Sequence, residues 1–355
     1  MKEINPFIIK GWNLPQEIVS YMSAIHEYRG KQDLYLKMKP ETLDKMNKSA
    51  IIQSAEFSNR IEGISTSKSR INALLQDGSS PKTRDEEEIL GYQKILNTIH
   101  SSYASLKLDK NMILNTHKNL YKFQSSGTRG AFKTSDNYIK EIGIDGKPFV
   151  RFHTVSAGMT HQYMQDLCES YNDVFIRGEI DPLLLIPCFI LDFLCIHPFM
   201  DGNGRMSRLL TLLLLYKNNY DVGKYISIER LIDETKSEYY NSLAVSSKGW
   251  HNNENDYFPF IRYTLSVILG AYREFEERYN HISNGENSSA ALVQNVFRGS
   301  ILPLSKSEVI RLCPSISQKT IERCLVELQK NGTIIKIDKG KATRYEFSGV
   351  KMNEK

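Results

Sequence analysis

The sequence has little that could staple or anchor it. Five cysteines in 355 residues, Cys168, Cys188, Cys195, Cys313 and Cys324, are odd in number, lack CxxC spacing and mostly sit among apolar neighbours. Neither a disulfide framework nor a zinc site is expected from them. The first residues, MKEINPFIIKGWNLPQ, hold no uninterrupted apolar run and no small-residue cleavage site, so no secretory signal is expected and the chain reads as cytoplasmic. Residues 183–199 come nearest to a membrane span, but Pro187, Asp192 and His197 interrupt them, and a buried core helix is the expectation. A GxxxxGK[ST] phosphate loop is absent as well. What is left, with 41% hydrophobic and 25% charged residues, is the profile of a soluble globular chain too long for one core, hence of two or three domains.

The densest chemistry lies in Ile196–Arg208, IHPFMDGNGRMSR, between the apolar runs 183–195 and 209–215. The simplest arrangement is a tight loop joining two buried helices, with Asp201, Gly202, Asn203 and Gly204 as turn residues and the second helix beginning near Arg205. Glycines just ahead of a helix let the backbone approach a ligand, and the free amides and positive dipole end favour an anion. Arg205 and Arg208, three apart, share a helix face, and each can fork onto phosphate oxygens. Asp201 is a hard oxygen ligand for Mg2+ bridging phosphates. His197 is left as a proton acceptor, with an ordinary pKa near ~6.5. Gly202, Gly204 and Ser207 also mimic a dinucleotide fingerprint, but the intervening His197, Pro198 and Asp201 and the helical surroundings make no βαβ unit.

HPFMDGNGRMSR matches the HxFx(D/E)GNGRxxR signature at every fixed position, and on it the chain resembles the Fic-domain proteins. The resemblance implies transfer of AMP from ATP to a Ser, Thr or Tyr hydroxyl of a protein. His197 would deprotonate that hydroxyl, Asp201 would hold Mg2+, and Gly202, Asn203, Gly204 and Arg205 would bind phosphates. Arg208 would reach the γ-phosphate, and Phe199 would anchor the loop within the ATP site. Phosphoryl and nucleotidyl transfer depend mostly on positioning and charge neutralisation, which agrees with this set of residues.

Upstream, Lys48–Phe57 leads into Ser58-Asn-Arg-Ile-Glu-Gly63, read as a helix ending at Gly63 in the left-handed cap position. Ser58 and Glu62, four apart, share one face. These residues match the (S/T)xxxE(G/N) inhibitory motif of Fic proteins, so Ser58, Glu62 and Gly63 are expected to regulate, with Glu62 pairing with Arg208 in cis. Residues 66–125 read as helices, broken at Asp77–Pro81, with Thr83-Arg-Asp-Glu86 as a capping box. Tyr138–Ile142 and Phe149–Phe152 flank Ile144-Asp-Gly-Lys-Pro148, a β-hairpin signal in the position of the Fic flap, which pairs with the target backbone. The proline-rich stretch that follows the flap in the family is replaced here by His153-Thr-Val-Ser156. Thr235–Asn241 resembles the family segment whose tyrosines line the nucleotide, which makes Tyr239 and Tyr240 adenine-pocket candidates.

Ser283–Ser289 is a polar linker. Beyond it, residues 290–355 carry twelve Lys and Arg against six Asp and Glu, a net of +6, and the whole-chain +5 leaves the first 289 residues at −1. Ser317 caps a helix with Ile321, Leu325 and Leu328 on one face, closed by Asn331-Gly332, and strands 333–337 and 344–347 flank a basic turn. That order looks like a winged helix, with Gln318, Lys319 and Arg323 on the exposed face of its recognition helix and Lys339 and Lys341 on the wing.

The expected fold is mainly α: a Fic-type helical bundle with a β-hairpin flap near 137–152, plus a small winged helix-turn-helix-like α+β domain. Its parts would be an N-terminal helical region at 1–110, a catalytic core at 111–282, a linker at 283–289 and the basic domain at 290–355. The expected function is an autoinhibited protein adenylyltransferase using ATP and Mg2+, with no membrane partner. Its target would be a protein bearing a hydroxyl side chain, the chain itself included, and a homodimer is an expected assembly. Two alternative functions stay open, a DNA-binding regulator with the Fic domain as nucleotide sensor and an enzyme that also removes AMP through water activated by Glu62, and the basic domain also reads as a protein-docking or dimerisation module with a solvated basic surface.

Overall fold

The computed structural model describes residues 9, 11–38, 40–124, 129–142, 146–283, 289–298, 300, 303–314, 316–337 and 343–348. The described chain divides into two compact units, 1–276 and 277–355. That division falls inside a helix, Phe258–Ser283, upstream of the expected linker, whose residues 284–288 lie outside the described ones.

The first unit is built around α7 (Pro182–Ile196) and α8 (Asn203–Lys217). From Leu183 to Ile196 every residue of α7 is buried, as a helix apolar on all sides must be. Asp181 caps it by accepting from the Leu183 amide, and Pro182 sits at the first turn, where its missing N–H is not needed. The one carboxylate within it, Asp192, accepts from Trp250 Nε1 (2.6 Å) and Tyr257 Oη (2.8 Å), which satisfies a group that would otherwise be costly to bury. The helix after the loop begins at Asn203, two residues before the expected start. Gly202, in the left-handed region at φ 82°, serves as its N-cap and turns the chain within one residue.

Around this pair lie α1 (Gln16–Met38), α2 (Pro40–Ile61), α3 (Lys68–Leu75), α4 (Arg84–Ser102), α5 (Lys110–Leu120), α6 (Ala157–Arg177), α9 (Ile228–Glu234), α10 (Lys236–Ser247) and α11 (Phe258–Ser283). Thr83 does cap α4, accepting from the Glu86 amide, but the box is half made. Glu86 instead accepts from the Arg70 guanidinium at 2.8 Å and from the Lys82 amide at 2.7 Å, charge-assisted partners that satisfy its buried carboxylate. The last helical residue of α2 is Ile61. Gly63, at φ 82°, follows in the left-handed position. The Gly63 amide bonds to Arg60 O and the Ile64 amide to Asn59 O, the double closure of a Schellman turn.

The expected hairpin is β1 (Tyr138–Ile142) antiparallel to β2 (Pro148–His153), with a register shift between Ile139 and Lys140. Among the described residues no helix is long and apolar enough to cross a membrane.

The second unit carries, after the end of α11, α12 (Ser289–Arg298), β3 (Leu304–Ser305), α13 (Lys306–Leu312), α14 (Gln318–Lys330), β4 (Ile334–Lys336) and β5 (Arg344–Phe347), with sheet order β3-β5-β4. Ser317 caps α14, and Ile321, Cys324, Leu325 and Leu328 are buried along it against Val293, Phe297, Val309 and Ile334. Lys339 and Lys341 lie outside the described residues.

Candidate active site

The loop between α7 and α8 is held open by its own side chains. Asn203 Oδ1 accepts from the Phe199 amide at 3.0 Å, and its Nδ2 donates to Phe199 O at 2.8 Å. The Phe199 ring is fully buried and stacks on His117, centroids 3.8 Å apart. His117 in turn accepts from the Gly130 amide (3.1 Å), which leaves Nε2–H to donate to Asp201 O (3.1 Å). Burial pulls this imidazole down to about 4, so it stays neutral and its two hydrogen bonds persist at neutral pH.

His197 closes α7 with φ 52° and ψ 61°. A left-handed conformation costs a non-glycine residue about 1–2 kcal/mol, so something must hold it. Its amide bonds to Phe193 O at 2.9 Å, and Nδ1 lies 3.2 Å from Leu194 O. With Nδ1–H donated to that carbonyl, Nε2 carries the lone pair. Burial lowers the ring to about 4, against which the Leu194 carbonyl raises it, so the ring is neutral and open to a proton at Nε2 at pH 7.

A cavity of about 510 Å³ is lined by Glu62, His197, Gly204 and Arg208, by Tyr239, Tyr240 and Leu243 of α10, and by Ile139, Lys140, Glu141 and Arg151 of the hairpin. Its size is that of a small-molecule site. Tyr239 is buried, whereas Tyr240 is partly exposed. Arg151 pairs with Glu141 at 2.7 Å and donates to Ser247 Oγ on α10 at 3.1 Å, which ties the hairpin to the tyrosine helix.

Arg208 is buried and turned toward the end of α2. Its Nε donates to Ser58 Oγ (2.8 Å), and its Nη2 to Ser58 O (2.7 Å) and Glu62 Oε1 (2.8 Å). Nη1 is buried and makes no hydrogen bond among the described residues, which leaves one guanidinium donor unsatisfied. Glu62 is thus seated against Gly204 in the first turn of α8, where the helix dipole favours an anion. The helix that presents it is fixed: Ser54 Oγ donates to Glu229 (2.7 Å), Lys236 Nζ to Ile61 O (2.6 Å), and Arg60 pairs with Asp233.

Not every expected residue reaches the cavity. The Arg205 side chain is 1% exposed, pairs with Glu88 of α4 and donates to Tyr121 Oη (2.6 Å). Sharing a helix face with Arg208 did not give it the same neighbours, because a buried guanidinium turns to the nearest carboxylate. Asn203 and Phe199 shape the loop from behind, and Gly202 packs beside the Tyr121 hydroxyl. The Asp201 side chain is 63% exposed, and its Oδ1 accepts from the Gly202 amide at 2.6 Å. Among the described residues no three of His, Cys, Asp and Glu gather into a metal cage. A lone accessible carboxylate still fits Mg2+, which takes one or two protein carboxylates alongside waters and phosphate.

Residues 107–215 match the sequence model of the Fic/DOC family. The chain carries a Fic domain. Protein adenylyltransferase fic-1 of Caenorhabditis elegans is 27% identical over 209 residues, 57% of this chain and 37% of the relative. Protein adenylyltransferase Fic of Drosophila virilis is 24% identical over 286 residues, 77% of this chain and 52% of the relative. The chain therefore spans about half or less of the length of these curated relatives. Among solved structures, a Fic family protein from Desulfovibrio desulfuricans shares the fold with a TM-score of 0.61 at 21% identity, covering 96% of this chain and 99% of that one. Fic-1 from C. elegans superposes with a TM-score of 0.60 at 22% identity, covering 76% of this chain and 74% of the other.

His117, Lys133, Asn137 and Thr154 also lie within the matched region and hold the loop or its supports. They support the loop from distant positions, and their sequence neighbourhoods carry no pattern that marks them.

Proposed function

We propose that this chain is a protein adenylyltransferase that transfers AMP from ATP to a hydroxyl side chain of a protein and is restrained by its own α2. The observation that carries the reading is the single cavity lined by His197, Gly204, Arg208, Tyr239 and Tyr240. A neutral imidazole with a free Nε2 stands there beside a helix N-terminus, a guanidinium with an unused donor, and an aromatic wall.

In the reaction, His197 Nε2 takes the proton of the target hydroxyl. The hydroxyl oxygen bonds to the α-phosphorus of ATP, the bond from that phosphorus to the bridging oxygen breaks, and pyrophosphate leaves. The amides at the start of α8 and Arg208 bind phosphate oxygens, and Tyr239 and Tyr240 flank the adenine. Asp201 would hold Mg2+, which supplies charge neutralisation on the polyphosphate. Glu62 occupies the anion seat at Gly204 and engages Arg208. ATP phosphates must then bind out of line, and a misplacement of about an ångström costs ~10²-fold in rate.

The test incubates the Glu62→Gly protein with α-labelled and, separately, γ-labelled ATP. Label retained on protein from the α position alone is the expected result. Retention of γ-label, or of neither, would overturn the reading.

For the second unit we read a winged-helix module that binds duplex DNA. What supports it is a stripe along α14, Lys319, Arg323, Val326 and Lys330, spaced to share one helix face and all exposed. It lies on the opposite side from Ile321, Leu325 and Leu328.

A further inference from the structure

Beneath the motif loop lies a buried ammonium that the reaction above does not use. Lys133 is 4% exposed. Its Nζ donates to Ile196 O (3.0 Å), Asn137 Oδ1 (2.9 Å) and Thr154 Oγ1 (2.8 Å). Its backbone amide donates to Pro198 O at 2.8 Å. Asn137 extends the hold, with Nδ2 donating to Phe199 O (2.9 Å) and lying 3.4 Å from His197 O.

These contacts single out one residue. Ile196 ends α7, so its carbonyl is one of those a helix leaves without an internal partner, at the negative end of the dipole. A cation there suits both conditions. Asn137 immediately precedes β1 and Thr154 immediately follows β2, so the same ammonium gathers both feet of the hairpin. Every carbonyl from Ile196 to Phe199 is thus met by Lys133 or by Asn137, and the residue enclosed is the left-handed His197. Burying a charge is unfavourable unless every donor is used, and here all three hydrogens of Nζ have acceptors. Burial pulls Lys133 down to about 8, with Asp136 opposing, so it is charged at neutral pH.

We propose that Lys133 is a positioning residue, whose ammonium clamps the carbonyl before His197 to both feet of the hairpin and so fixes Nε2 relative to the target strand. The inference rests on His197 being the base of the proposed transfer. It adds that base and flap are one rigid piece with a common fastener.

The experiment compares Lys133→Met and Lys133→Arg in the Glu62→Gly background, with melting curves to establish folding. Lys133→Met should lower kcat by ~10²-fold while KM for ATP stays within about threefold, since the nucleotide-binding groups are untouched. Lys133→Arg keeps the charge and donors and should recover at least about tenfold of the loss. Independently of turnover, nitrogen NMR of histidine-labelled protein should show His197 with Nδ1 protonated in the parent and a mixed tautomer in Lys133→Met. The His197 signal would be assigned with His197→Asn. An unchanged kcat, a loss confined to KM, or an unmoved His197 ring signal would each overturn the proposal. Should the parent transfer no AMP at all, the enzymatic reading fails, and the ring signals still decide whether Lys133 holds His197.

Discussion

A methyl group placed on Gly204 would stand 2.1 Å from Oε1 of Glu62. The carboxylate at the end of α2 therefore fills the space that only a glycine in the first turn of α8 leaves open, beside the buried guanidinium of Arg208. The occupant is a carboxylate at the first turn of a helix, the end at which the dipole favours negative charge.

Glu62→Gly should raise self-modification and target modification by ~10²-fold, the scale of a restored in-line pose. Arg208→Ala should lower both, in wild type and in the Glu62→Gly background, because in the proposed reaction the same guanidinium would serve the inhibited and the reactive arrangement. Transfer of α-label on the four proteins measures this. Equal rates for wild type and Glu62→Gly would leave the Ser58–Gly63 turn a purely structural feature.

Replacing His197 with Asn should cost ~10²–10⁴ in transfer rate and leave ATP affinity close to unchanged, since the ring is assigned to a proton and not to phosphate. Undiminished transfer would remove His197 from the chemistry.

Asp201→Ala should reduce the Mg2+-dependent part of nucleotide binding while sparing binding in chelator. Titration calorimetry with and without Mg2+ separates the two. An identical Mg2+ dependence in wild type and variant would move the metal elsewhere.

Duplex DNA should bind weakly and lose affinity steeply with salt, because each neutralised phosphate releases counterions. The full chain carrying Lys319→Glu and Arg323→Glu should show a shallower salt slope and leave AMP transfer standing. No mobility shift at low salt would reduce the second unit to another role.

Stability should fall with acid in two windows. His100, His117 and His197 are each pulled by burial to about 4 from the usual 6.5. Between those values the unfolded chain binds more protons, so stability is lost as pH falls from 6.5 toward 4. Glu86, held down to about 2 by its hydrogen bond with Arg70, adds a second loss as pH falls from 4.5 toward 2. Thermal melts from pH 8 to pH 3 should follow that course. A flat Tm between pH 7 and pH 4.5 would contradict the upper window.

How much of this was legible in the sequence follows from where the contacts come from. Residues 196–208 are contiguous, and their order alone placed a turn and a helix start together. Gly63 announced its turn because few other residues accept its backbone. The hairpin was visible as alternation around a glycine. Lys133 was not legible, since its acceptor Ile196 O is 63 positions away and only the fold brings them together. Arg205 was misplaced for a related reason: spacing fixes the direction of a Cβ, whereas the end of a long side chain goes to the neighbour that satisfies it, here Glu88. Helix α8 began early because an asparagine whose side chain clamps Phe199 can still be helical itself.

The backbone at His197 also decides how an inactive control should be made. The other two non-glycine residues with positive φ among the described residues, Asn219 and Asn253, are both asparagine, the side chain that best tolerates this region after glycine. Alanine at position 197 would remove the imidazole and also leave an unsupported left-handed residue, so that lost chemistry and a relaxed loop would arrive together. His197→Asn separates them, deleting the base while the turn between α7 and α8 keeps its shape.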